Sequence, residues 1–237
     1  MTQDIAYKLT LLLKRRPDSS PDAFADAWLD LDRRHPLITT GLVRYVFDRA
    51  LPGVSPIAGA AAAPYDAVIE TWWTRKSDAA DWVVSHAFED GWLAPRSELL
   101  AERPAAVAGA PTLVWEREVT EDMSPVTVIV LPVARRSLRF DEFVDHWTGA
   151  HAQLALGGPE TEDRLVRLED TPAPTPPPSR FLRTRYDGVG AITFASYEAL
   201  AAEFGSDHYR DDVAPDEIRF TDAAVSCAFV GSPIDLT

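Results

Sequence analysis

Two histidines and a tryptophan fall within "FDEFVDHWTGAHAQL", residues 140–154. Imidazole is the side chain that changes charge near neutral pH without special surroundings, so these residues are the first to weigh as proton carriers. On an α-helix, positions four apart share a face. Phe143, Trp147 and His151 then form one stripe, and His146, five residues before His151, turns well away from it. His151 is the histidine carried with the apolar face. It is either a core-edge imidazole bonded to a backbone carbonyl or a general base in a pocket between helix and sheet.

An echo lies upstream in "PDAFADAWLDLDRRHPL", residues 21–37, where Phe24, Asp26 and Trp28 match Phe143, Asp145 and Trp147. The position of His151 is taken by Asp32, with His35 three residues on. A carboxylate that orients an imidazole is a usual general-base arrangement, so Asp32 and His35 form a second candidate pair. The competing reading is that Asp32, Arg33, Arg34 and His35 solvate and end the helix before Pro36. Glu70, in "DAVIETWW", alternates onto one strand face with Val68 and Trp72. Apolar neighbours would raise its pKa and suit it to act as an acid, the alternative being an exposed glutamate at a strand edge.

Trp28, Trp72, Trp73, Trp82, Trp92 and Trp115 fall in the first half, against Trp147 in the second. Large flat side chains suit a pocket for an aromatic or polycyclic ligand, and equally a packed core. The first half is therefore expected to be the roomier. His86 in "SHAF" and His208 in "SDHY" are further pocket candidates. The single cysteine, Cys227, lies in the apolar run "AVSCAFV" and reads as a buried inert thiol.

These residues need elements to place them. "AYKLTLLLKRR" reads as a strand, followed by a helix from Ser20-Pro21, strands at "LVRYVFDRA" and 66–73, helical residues 77–102, and a strand at 112–119. The second half repeats this order with strands at 126–133, 164–170, 190–195 and 226–231, and helices at 140–154 and 196–222. Each half is a βαββαβ, ferredoxin-like unit. The class is α+β, with units 1–122 and 123–237 whose sheets pair face to face into a pseudo-dimeric α+β barrel. Breaker-rich insertions, "LPGVSPIAGAAAAP" at 51–64 and "TPAPTPPPS" at 171–179, interrupt both halves at the same place; the second is expected to be an ordered arm.

The formal charge of -14 over 237 residues opposes phosphate backbones and anionic membranes. One cysteine excludes an intrachain disulfide and multi-cysteine metal sites. No Gly-rich phosphate loop, HExxH or GxSxG occurs. No apolar run approaches the roughly 20 residues of a membrane span, and the basic pair at 15–16 follows the apolar stretch, the reverse of a secretory signal. A soluble cytoplasmic protein is expected.

"LLLKRRPDSSPDAFADAWLDLDRRHPL", "FDEFVDHWTGAHAQL" and "FGSDHYRDDVAPDEIRFTD" together resemble the EthD family of the dimeric α+β barrel superfamily. The resemblance implies a dimer fused into one chain, monomeric as a pseudo-dimer or further associated as a homodimer. It implies that the family's tryptophan and histidine, four residues apart, are kept as Trp147 and His151. The first half departs from that pattern at Asp32. Related barrels include cofactor-free cyclases, decarboxylases, dehydratases and quinone-forming monooxygenases, and others that bind haem through a histidine. The expectation is an enzyme of lyase or cyclase type in secondary metabolism, without cofactor or metal. It would act on a hydrophobic aromatic or polyketide-like molecule held by Trp28, Trp72, Trp73, Trp82, Trp92, Trp147 and His86. His35 with Asp32, or His151, would move the proton, and Glu70 would be the acid. The alternatives are a non-catalytic binding or accessory protein and a haem- or oxygen-dependent monooxygenase.

Overall fold

The computed structural model describes residues 5–51, 53–54 and 60–237. Of the 51–64 insertion, Pro52 and residues 55–59 lie outside the described residues. The first half runs β1 (Tyr7–Leu13), α1 (Pro21–Arg34), β2 (Leu42–Ala50), β3 (Ala61–Ala62), β4 (Ala67–Trp73) and α2 (Lys76–Val84). A π-helical turn (Ala87–Leu93), α3 (Ala94–Arg96), β5 (Ala105–Gly109) and β6 (Thr112–Glu116) complete it. The second half runs β7 (Val126–Leu131), α4 (Phe140–Asp145), a π-helical turn (His146–His151), α5 (Ala152–Leu156) and α6 (Thr161–Arg164). Then come β8 (Leu165–Pro172), β9 (Leu182–Arg183), β10 (Gly188–Phe194), α7 (Tyr197–Phe204), a third π-helical turn (Tyr209–Val213), α8 (Ala214–Phe220) and β11 (Cys227–Asp235). Local chemistry explains the starts of the helices. The Ser20 hydroxyl accepts from the Ala23 amide with Pro21 in the first turn, and the Ser196 hydroxyl accepts from the Ala199 amide.

The strands form one sheet in the order β6-β8-β10-β7-β11-β2-β4-β1-β5-β9. Two long strands stitch its halves together. β11 pairs with β7 through Cys227–Gly231 and with β2 through Gly231–Asp235. β5 pairs with β1, and β6, two residues further along the chain, pairs with β8. The path therefore returns to its start and closes into a barrel. At this seam the backbones are so close that a Cβ on Gly109 would stand 1.8 Å from the Pro172 carbonyl oxygen.

Period-two alternation divides the side chains. Leu9, Leu11, Ile69 and Trp73 face the helices of the first half, and Val126, Val128 and Phe194 those of the second. Leu12, Val68, Val107, Ile129 and Val189 meet inside the barrel. The expected strand at 112–119 is preceded by a strand absent from that reading, "AAVAG", whose alanines lack the β-branched and aromatic signature of strands. Short Ala side chains suit the tight seam. The 171–179 segment begins as part of β8.

The barrel interior is also charged. Lys8 is fully buried and its ammonium pairs with Glu70, on the neighbouring strand β4, and with Glu169 on β8, at 2.7 Å. Glu169 also takes Arg167 at 2.5 Å and the Trp72 indole N–H at 2.9 Å. Burial opposes ionisation of Glu169, but Lys8 and Arg167 overcome it and hold the carboxyl down at about 2. Glu70 is thus no strand-edge residue, which corrects that expectation. Strands on both sides of β4 enclose it. Asp48 is buried nearby with neither carboxyl oxygen hydrogen-bonded, and desolvation followed by the charge of Glu70 raises its pKa well above normal.

Lys8→Met would strip the cation at similar volume and leave two buried carboxylates short of a partner. Such losses cost about 3–5 kcal/mol. Urea unfolding is expected to show a drop of this size; a change below about 1 kcal/mol would contradict the assigned pairing.

Candidate active site

The two halves fill the layer between sheet and helices differently. In the first, Trp28 stacks on Phe47 with ring centroids 6.1 Å apart, and Trp92 meets Trp28 edge-on at 5.8 Å and Trp82 at 5.6 Å. Strand pairing sets Phe47 opposite Ile69, and in the second half sets Asp170 opposite Gly190. Aligning the helix caps Arg75 and Ser196 puts Glu203 where the first half has Trp82. Three large side chains are thus replaced by two acids and a glycine. The result is a cavity of about 250 Å³ lined by Trp147, Phe194, Phe204, Phe220 and Tyr209, with His151, Asp170, Glu203, Glu217 and Cys227 as its ionisable groups beside the tyrosine.

His151 reaches this cavity from the π-helical turn. Its Nδ1 is 3.1 Å from Asp216 Oδ2, and His146 Nε2 is 2.9 Å from the same oxygen. The expectation that His146 points away fails because α-helical spacing does not apply here. In a π-helix the repeat is i to i+5, and residues 146 and 151 share a face. The Phe220 ring lies 4.8 Å from the His151 ring. Burial lowers the His151 pKa, with Asp216 acting in the opposite direction, so the imidazole is neutral at pH 7. Asp216 stays ionised: desolvation would raise its pKa, but the two histidines bring it below the usual value. With Nδ1 tied to a carboxylate, His151 has Nε2 left to accept a proton.

The first half carries a counterpart of different charge. Ala94-Pro95-Arg96 matches Ala214-Pro215-Asp216, so Arg96 stands where Asp216 does and Asp32 where His151 does. Arg96 Nη2 lies 2.5 Å from Asp32 Oδ1, and the Tyr45 hydroxyl donates to the same carboxylate at 3.0 Å. Asp32 is therefore spent in a buried ion pair and does not orient His35, whose exposed ring leaves only its backbone carbonyl to Arg96 at 3.1 Å. This corrects the proposed Asp32 and His35 pair.

The tryptophans are corrected likewise: Trp28, Trp73, Trp82 and Trp92 are close-packed core, and Trp72 lies inside the barrel on Glu169. The first half is the full one and the second the roomy one. His86 is wholly exposed and bonded to Asp90, away from the cavity. Trp147 and His151 do line the cavity, while His208 is held by the Leu154 carbonyl and Asp212. The Cys227 thiol lies 3.3 Å from the Tyr186 hydroxyl, and burial raises its pKa. Asp216, Asp170, Glu203 and Glu217 were missed; the signal available for Asp216 was its place in the repeated Ala-Pro-x step.

Comparison with known proteins agrees with this architecture. Residues 135–224, which contain the dyad, match the EthD domain model. An anthrone oxidase-like protein superposes with a TM-score of 0.61 at 9% identity, covering 99% of this chain and 94% of that one. A candidate monooxygenase from Fusobacterium nucleatum gives 0.59 at 8% identity, covering 98% and 93%. Chlorite dismutase from Candidatus Nitrospira defluvii, in complex with imidazole, gives 0.53 at 11%, covering 96% and 91%. These likenesses establish the dimeric α+β barrel fold. A search of curated protein sequences found no match. Among the described residues, no helix is long and apolar enough to cross a membrane. A haem does not fit the cavity. Its volume is below the roughly 300–1,000 Å³ of pockets for drug-sized ligands, and among the described residues no Lys or Arg lines it to meet anionic propionates.

Burial, and after it the Glu169 carboxylate, push the Asp170 carboxyl up to about 8. The unfolded carboxyl titrates near pH 4, so the native state holds an extra proton here between about pH 4 and 8. Its contribution to stability is full below that window and is lost as pH rises through it. Asp170→Asn removes the titration. Between pH 5 and 8 the variant is expected to gain about 3 kcal/mol on the wild type. Denaturant midpoints across that range check this, and parallel pH profiles would refute it.

Proposed function

We propose that the chain is an enzyme that takes a proton from an acidic C–H bond of a hydrophobic, ring-containing molecule held in the second-half cavity. His151 is the base and Asp216 the residue that orients it. The observation carrying this reading is the His151–Asp216 dyad at a cavity walled by aromatic side chains. Nε2 accepts the proton, the C–H electron pair moves onto the adjoining carbonyl or ring, and Asp216 stabilises the imidazolium. Elimination, cyclisation and oxygenation can each start from that carbanion. The anthrone oxidase-like and monooxygenase neighbours favour the branch in which dioxygen then accepts the electrons. The surroundings of His151 suit it to this step, because an imidazole with a lowered pKa remains an unprotonated base at and below neutrality.

Deuterium exchange tests the first step without requiring the natural substrate. With 2-tetralone or anthrone in heavy water, the protein is expected to accelerate exchange at the carbon beside the carbonyl. Enzyme-dependent exchange should hold steady above pH 6.5 and fall only as the imidazole protonates at lower pH. His151→Ala should lower it about 10²-fold or more, and Asp216→Asn should lower it with the fold retained. Rates equal to buffer for both ketones, or an unaffected His151→Ala variant, would sink the reading.

A further inference from the structure

Four of the cavity's five ionisable side chains besides Tyr209 already have partners. Glu203 is taken by the Thr161 hydroxyl at 2.9 Å and by Arg164 at 3.0 Å, Glu217 by the Tyr209 hydroxyl at 3.2 Å, His151 by Asp216, and the Cys227 thiol donates to the Tyr186 hydroxyl at 3.3 Å. Asp170 is 3% exposed, lines the cavity, and has no hydrogen-bond partner for its carboxyl among the described residues. It lies beside Gly190, where an added Cβ would stand 3.4 Å from Asp170 Oδ1 and 3.4 Å from Trp147 Cζ2. A carboxyl and an indole edge thus meet at Gly190 on the cavity wall. In the first half Phe47 and Ile69 stand at the positions of Asp170 and Gly190.

We propose that Asp170 is the ligand-recognition group of the cavity, its protonated carboxyl donating a hydrogen bond to the carbonyl or enol oxygen of an uncharged fused-ring ketone lying along Trp147. The proposal rests on the proton-abstraction reading for the chemical step after binding, and it narrows the substrate class to neutral, oxygenated ring systems. A carboxylate inside the cavity would meet no Lys or Arg among the described lining residues, which favours an uncharged ligand. The unspent carboxyl needs a partner on burial, and only its neutral form can supply a donor to a ketone. Such a bond also withdraws electron density from the carbonyl as a carbanion forms beside it.

The charged and titratable groups around Asp170 are consistent with a protonated state near neutrality. Across the cavity stand His151, Glu203 on α7, Glu217 on α8 and Tyr209; behind the sheet lie Glu169 and Lys8. Burial dominates, Glu169 adds to it and Lys8 opposes it, leaving Asp170 titrating at about 8. Burial also brings Glu217 to about 7, which makes it the group to separate experimentally.

The test is binding, read by quenching of tryptophan fluorescence or calorimetry, with 2-tetralone and with tetralin, the same skeleton without the oxygen. At pH 6 the wild type is expected to prefer 2-tetralone about tenfold, the worth of one good hydrogen bond. That preference should vanish as pH rises through 8. Asp170→Ala should abolish it, and Asp170→Asn, whose amide still donates, should keep it at every pH. Equal affinities in the wild type, or a preference surviving in Asp170→Ala, would overturn the proposal. A pH dependence persisting in Asp170→Asn would assign the effect to Glu217 and overturn it as well. Affinity is independent of turnover, so failure of exchange with binding intact would count against the His151 mechanism and not against Asp170.

Discussion

The ammonium of Lys8 lies at the point where the two halves meet. Glu70 comes from the neighbouring strand of the same half and Glu169 from the other half. A cation with no water must keep both carboxylates, and each carboxylate must keep its cation, since an unpaired charge there costs several kcal/mol. Together with β11 and the β5–β6 strand, which run through both halves, this fixes how the two sheets face one another. It also fixes where a ligand can go. The interior is committed to ion pairs and close-packed aliphatic side chains, so free volume can arise only outside the barrel, under the helices.

Under the helices the halves solve the same packing problem in opposite ways. Asp32 and Arg96 form a buried ion pair, roofed by stacked aromatic rings. At the matching positions His151 and Asp216 form a pair in which one member can gain and lose a proton. Having both halves in one chain permits this divergence. In a symmetric dimer every substitution occurs in both pockets, whereas here one pocket can be filled for stability while the other is emptied.

Much of the fold was legible because it rests on periodicity. The βαββαβ order, the repeat linking Trp28 with Trp147 and the placing of His151 on an apolar face follow from alternation and helical spacing. Glu70 was misplaced because its strand is covered on both edges and both faces, and a single strand does not announce its neighbours. The tryptophans misled for a related reason. Aromatic content records how much volume is available to fill, and in the first half Trp28, Trp73, Trp82 and Trp92 fill it. The room in the other half is written in the acids placed where the first half has Phe47 and Trp82, while Gly188 and Gly190 make way for the Trp147 ring.

The dyad itself was hidden by one extra residue per turn. With α-helical geometry His146 and His151 diverge, and Asp216, 65 residues after His151, has no sequence relation to either. The π-helical turn brings both imidazoles onto one carboxylate oxygen. The wider turn has a cost in backbone hydrogen bonding, and such turns persist mostly where they serve a site. Each half has such a turn before its Ala-Pro step, but only the second has one in its opening helix, where α1 stays α-helical through Arg34. The distortion therefore tracks the His151–Asp216 pair and not the repeat. A helix needed only for packing keeps its ideal form as α1 does, and the one that departs from it brings two imidazoles onto one carboxylate.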